Sequence, residues 1–288
     1  MPSIPTPPSW LPWWWQQAWS QSISRREWRR SWQWNSPLVA LEFLTTLRLR
    51  KVRQWDDRTF GAALAWYPAV GLLIGLALLV GDRILAELLP VGAASALLVA
   101  GLALLSGGLH LDGVADTADG MALQGDRAER LGVMSEGNTG PAGVMSLVLV
   151  LLIEWVALSS LEAPVRSAGI VLAPALARWS VVPMVVFFRP ARPRGLGHAL
   201  HQSAWPLAAP IATLTAGIAS LALFGLAGVV LVMVAGAAAF VIAWTSWRLL
   251  QGVTGDTYGA AIEVSFAAVL LSIVAAGQHG WISGTFLT

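Results

Sequence analysis

The chain has 288 residues, of which 56% are apolar and only 12% charged, with a mean hydropathy of +0.65. A soluble domain carries roughly 25% charged residues, so this composition excludes one and predicts an all-α, polytopic helical bundle in a membrane. The net charge of +2 gives no argument for a nucleic-acid partner, and the lack of cysteine excludes disulfides and thiolate metal sites.

In chain order, residues 1–37 read as an extension. They hold eight of the 16 tryptophans, with Arg25, Arg26, Arg29 and Arg30 among them. Indoles interleaved with arginines suit the headgroup region, so a helix lying in the membrane plane is expected. The membrane-embedded domain is then 38–288. Leu38–Leu49 contains Glu42 and is too short to cross ~30 Å of hydrocarbon at 1.5 Å per residue, which predicts an amphipathic or re-entrant helix. Seven spans are expected, at about 61–81, 91–109, 142–162, 168–188, 207–224, 227–247 and 264–282.

With a cytoplasmic N-terminus, fifteen of the 18 basic residues fall on the cytoplasmic face. Arg83 and Arg166 fall opposite, and Arg178 lies inside a span. This bias predicts the orientation and an inner-membrane location. It also puts three polar loops, 110–141, 189–206 and 248–263, on one side.

The first of these loops begins in the stretch 107–120, Gly-Gly-Leu-His-Leu-Asp-Gly-Val-Ala-Asp-Thr-Ala-Asp-Gly. Asp112, Asp116 and Asp119 are spaced four and three apart, which on a helix confines them to an arc of about 60°. Three anions on one stripe repel unless a cation joins them, and oxygen-only ligands favour Mg2+ or Mn2+ over zinc. His110 stands immediately before them as a candidate general base.

Other residues carry weaker signals. Glu136, Asn138 and Gly140 belong to a glycine-rich lead-in to a span, where free N–H groups and a helix N-terminus suit phosphate. Arg178 in a span must face protein or water; it either pairs with Glu154 or clamps a phosphate. His198 neighbours Arg192 and Arg194 in the second loop, and Asp256 and Glu263 would share a helical face in the third. Either of the last two acids could complete the metal or hold a hydroxyl.

The 107–120 stretch resembles the signature of the cobalamin synthase, or adenosylcobinamide-GDP ribazoletransferase, family. Leu41–Thr45, Tyr67–Gly71, Gly195-Leu196-Gly197 and Thr254–Glu263 resemble further motifs of that family in the same order. The resemblance implies a multi-spanning enzyme of the last steps of vitamin B12 assembly. Such an enzyme joins adenosylcobinamide-GDP to alpha-ribazole or its 5'-phosphate with Mg2+ and releases GMP. It also implies that Asp112, Asp116 and Asp119 hold the metal, with Asp256 or Glu263 completing it. Arg178, the 136–143 loop, Gly195, Gly197 and His198 would then contact substrate. A homo-oligomer, or contact with other cobalamin-assembly enzymes, is the further partner expectation. Two other classes stay open: another membrane phosphoalcohol or prenyl transferase, and an ion-coupled transporter using Glu154 and Arg178. Within the first, a CDP-alcohol phosphotransferase wants an Asp-Gly-x-x-Ala-Arg pattern and here meets Asp116 after Ala115; the second wants inverted repeats, which the chain does not show.

Overall fold

The computed structural model describes residues 35–49, 57–163, 165–203 and 205–282. The expected interfacial helix before residue 35 lies outside the described residues. What is described is all-helical, with a single parallel bridge between Pro190 and Val253.

The first helix among the described residues, α1 (Ser36–Leu44), replaces the predicted 38–49 segment. It stops at Thr45 because Arg48 folds back onto the carbonyls of Glu42 and Thr45 while the buried Glu42 side chain accepts the Leu49 N–H at 2.9 Å. A short helix α2 (Asp57–Ala63) and a 3-10 turn lead into α3 (Tyr67–Ala86), forming one apolar segment from Phe60.

Four further helices are each long and apolar enough to cross a membrane. They are α7 (Pro141–Ser159), the broken pair α8 (Val165–Trp179) and α9 (Val181–Phe187), α12 (Leu226–Leu250) and α13 (Gly255–Gln278). Two bent pairs, each a broken span or a re-entrant loop, bring the count to at most seven: α4 (Val91–Leu105) with α5 (Leu109–Ala122), and α10 (Leu196–Ser203) with α11 (Ala208–Phe224). Apolar side chains cover the outside of this multi-pass bundle, as on α12, where Val230, Met233, Phe240 and Val241 are exposed.

Two differences from the sequence expectation matter for function. The stretch after α4 is no loop. Gly107 and Gly108 take positive φ values of 62° and 73°, which turn the chain by 87° into α5 and carry the acidic stripe out of the spanning direction. The last span begins at Gly255 rather than 264. Hydropathy discounts Asp256 and Glu263, yet Thr254 and Thr257 form a reciprocal capping box that starts the helix there.

At the far end of the bundle, the Arg166 guanidinium donates to Asp82 Oδ1 at 2.6 and 3.0 Å and to Oδ2 at 3.2 Å, and also reaches Ser95. Arg83 donates to Ser167 there. This pins the end of α3 to the start of α8.

Candidate active site

Between these helices lies a cavity of about 240 Å³. Its position follows from the crossing of α5 and α13. A Cβ on Gly113 would come within 2.6 Å of the Asp256 carbonyl, and one on Gly259 within 3.1 Å of the His110 carbonyl, so only glycines let the two backbones touch. That contact sets Asp112 beside Asp256 on one cavity wall.

The second wall is the segment after α9. Ala191 donates its N–H to Val253, and Val253 donates to Arg189, clipping residues 189–191 against the entry to α13. Arg127, on α6 (Arg127–Val133), reinforces the clip by donating to the carbonyls of Leu250 and Ala191. The clip delivers Arg192 and Arg194 to the cavity, together with Gly195, Gly197 and His198. Arg192 donates to the Leu131 carbonyl and lies 3.9 Å from the Asp256 carboxylate, whose other partner is the Thr254 hydroxyl.

The opposite end of the cavity is apolar and aromatic, with Phe43, Phe60 and Tyr67 in contact: Phe43 meets Phe60 edge-on and stacks on Tyr67. Tyr258 also lines it, with its hydroxyl 2.6 Å from His201 Nε2. The chain's two tyrosines thus both face this cavity, and the sequence reading singled out neither as a site residue.

The three acids of α5 share a face but not a task. Asp112 is exposed and lines the cavity, and Asp116 is half-buried next to it. Partial burial and the nearby charges of Asp112, Asp256 and Asp119 push Asp116 up to about 6, against a smaller opposing effect of Arg192. Asp119 is buried, and its two oxygens accept the N–H groups of Gly140 at 2.7 Å and Gly143 at 2.8 Å. The glycine-rich loop, expected to seat phosphate, seats the chain's own Asp119 in this structure, so Asp119, expected as a metal ligand, and Gly140, expected against phosphate, are bonded to each other. Glu136 and Asn138 are exposed and outside the cavity lining.

Arg178 is likewise not a lining residue. It is fully buried, within electrostatic reach of Glu154 and Glu263, and none of its guanidinium nitrogens has a hydrogen-bond partner among the described residues. Glu263 in turn lies 3.4 Å from His110 Nδ1, so this buried group sits directly behind the cavity wall. Among the described residues, the arginines that line the cavity are Arg192 and Arg194, which the sequence reading had named only as neighbours of His198.

For a metal, the test is the donor set. Among the described residues no three histidines or acids stand together as a ready-made ligand group. However, Asp112, Asp116 and Asp256 offer only oxygen, and burial, with the neighbouring acids adding to it, raises Asp116. Mg2+ takes one or two carboxylates, keeps several waters and binds the rest of its shell through substrate phosphate. The residues fit such a substrate-bridged ion.

Comparison with known proteins gives the family. A family model described as cobalamin-5-phosphate synthase matches residues 36–274. The chain belongs to this family. Among its relatives, the adenosylcobinamide-GDP ribazoletransferase of Pseudomonas paraeruginosa is 40% identical over 244 residues, covering 83% of this chain and 97% of the relative. The protein of the same name from Pseudomonas aeruginosa strain UCBPP-PA14 is 41% identical over the same shares. That from Geotalea daltonii is 35% identical over 245 residues, covering 83% of this chain and 96% of the relative. No solved structure matches. Within the matched range, the stretches 41–45, 67–71, 107–120, 195–197 and 254–263 each contribute to the cavity wall.

Proposed function

We propose that this chain transfers the adenosylcobinamide phosphoryl group from adenosylcobinamide-GDP to alpha-ribazole or its 5'-phosphate. A ribose hydroxyl oxygen bonds to the phosphorus next to the cobinamide, the bond from that phosphorus to GMP breaks, and GMP leaves. The carrying observation is the cavity, which brings the Asp112 and Asp256 carboxylates together with Arg192 and Arg194 where the stretches 41–45, 67–71, 107–120, 195–197 and 254–263 meet.

The diphosphate is the most charged part of the substrates. Arg192 and Arg194 face it across from Asp112 and Asp256, and Arg forks suit phosphate oxygens. Asp112, Asp116 and Asp256 would hold Mg2+ or Mn2+, which supplies charge neutralisation on the transferred phosphoryl group. His110, at the cavity wall, or the Asp116 carboxylate would take the hydroxyl proton. Gly195, Gly197 and His198 shape the mouth through which the nucleotide enters. The aromatic end keeps water from the reacting phosphorus.

The site faces the cytoplasm of an inner membrane in this reading. The support is the distribution of basic residues, fifteen of 18 falling on the side of the cavity loops. The test is conversion by the purified full chain in lipid vesicles, followed by mass spectrometry of the corrinoid product. Product that requires both substrates supports the reading; no product with either form of ribazole overturns it.

A further inference from the structure

The two substrates differ greatly in size, and the cavity can enclose only the smaller of them whole, the larger reaching in with its diphosphate. A corrinoid carrying its side chains and a nucleotide is several times larger than a space of about 240 Å³. A single ribonucleoside with a flat bicyclic base is of the right order. The polar wall holds the charges that phosphate needs, which leaves the aromatic end for the base.

One atom at that end has no partner. The Tyr67 hydroxyl is buried, Tyr67 being 1% exposed, and it forms no hydrogen bond among the described residues although its ring lines the cavity. A buried O–H without an acceptor costs stability unless something completes it. Phe43 and Phe60 beside it are aromatic hydrocarbons, and the Tyr258 hydroxyl pairs with His201 rather than with Tyr67. Tyr67 opens α3 directly after the 3-10 turn, with Pro68 fixing the first helical turn, so its ring is held rather than free to seek another partner.

We infer that the aromatic end of the cavity is the subsite for the base of the ribazole co-substrate, stacked beside Phe43, with the Tyr67 hydroxyl donating to the base's unsubstituted ring nitrogen. The corrinoid remains outside, at the mouth marked by Arg194 and His198. This rests on the ribazole-transfer reading and adds which substrate enters and which atom selects it. In a benzimidazole riboside one ring nitrogen carries the sugar and the other is a bare acceptor. That is the group a lone donor in an apolar pocket selects for, because an analogue lacking it leaves the donor buried and unpaired.

The experiment pairs an enzyme change with a ligand change. The full chain in lipid vesicles is assayed for GMP release with benzimidazole riboside and with indole riboside, in which the acceptor nitrogen is a C–H. Wild type should show a KM about tenfold lower for the benzimidazole riboside. In Tyr67→Phe the two KM values should converge, and the KM for adenosylcobinamide-GDP should not change. A preference that survives in Tyr67→Phe overturns the assignment, as does a KM increase confined to the corrinoid nucleotide. Wild type alone provides a second check independent of any variant's folding: equal KM values for the two ribosides overturn the inference. Absence of GMP release with both would instead overturn the ribazole-transfer reading.

Discussion

The Asp119 carboxylate accepts the backbone N–H of Gly140 at 2.7 Å, and its other oxygen takes that of Gly143 at 2.8 Å. An acid on α5 thereby caps the N-terminus of α7, where free N–H groups and the helix dipole favour a negative charge. Asp119→Ala should cost about 2 kcal/mol of stability, at the upper end for a charged cap. Thermal unfolding in detergent measures it. The lost activity should follow the lost folded fraction, with KM values near wild type in the molecules that remain.

The two kinds of arginine should separate cleanly. Arg178→Gln removes the cation facing Glu154 and Glu263 in a fully buried setting, and breaking such a group costs about 3–5 kcal/mol, so this variant should fail to accumulate in the membrane. Arg192→Gln should accumulate normally and raise the KM for adenosylcobinamide-GDP about tenfold or more. Membrane yield and steady-state kinetics distinguish the two. A well-folded Arg178→Gln with a selective loss of nucleotide binding would restore Arg178 to the phosphate site.

Metal dependence should respond to pH through Asp116. Its carboxyl is raised to about 6, so in the metal-free protein it is ionised above that pH and carries a proton below it. A metal must displace that proton. The Mg2+ concentration for half-maximal rate should therefore be flat above about pH 7 and rise by about tenfold per pH unit below 6. In Asp116→Asn this pH dependence should vanish from whatever activity remains.

At the far end, Asp82→Ala should strand the Arg166 guanidinium in a buried site and destabilise the bundle by about 3 kcal/mol, without altering either KM. A changed KM would mean that the α3–α8 pin communicates with the cavity.

Much of this was legible from hydropathy and spacing. The spans from 61 to 247 could be located because lipid requires long apolar helices, and the helical face shared by Asp112, Asp116 and Asp119 follows from 100° per residue. What could not be read depends on chain segments meeting. The start of α13 was hidden because hydropathy treats Asp256 and Glu263 as loop residues, when one faces a cavity and the other lies behind His110. The occupant of the glycine-rich cradle was hidden because it lies 21 residues earlier in the chain than Gly140. Tyr67 carried no sequence signal beyond membership of a motif, since an orphaned hydroxyl shows only once its surroundings are assembled. Arg192 and Arg194 could have been weighted above Arg178 on one ground: they lie in a polar loop a nucleotide can reach.

The central claim is that the carboxylates shared by α5 and the start of α13 drive phosphoryl transfer with a divalent ion. The most direct measurement is GMP release from adenosylcobinamide-GDP by vesicle-reconstituted wild type, Asp112→Asn and Asp116→Asn, with and without Mg2+. Wild type should release GMP only when both ribazole and Mg2+ are present. The two variants should be at least about 10²-fold slower with unchanged thermal stability. Full activity in Asp116→Asn, or GMP release by wild type that ignores Mg2+, would contradict the account.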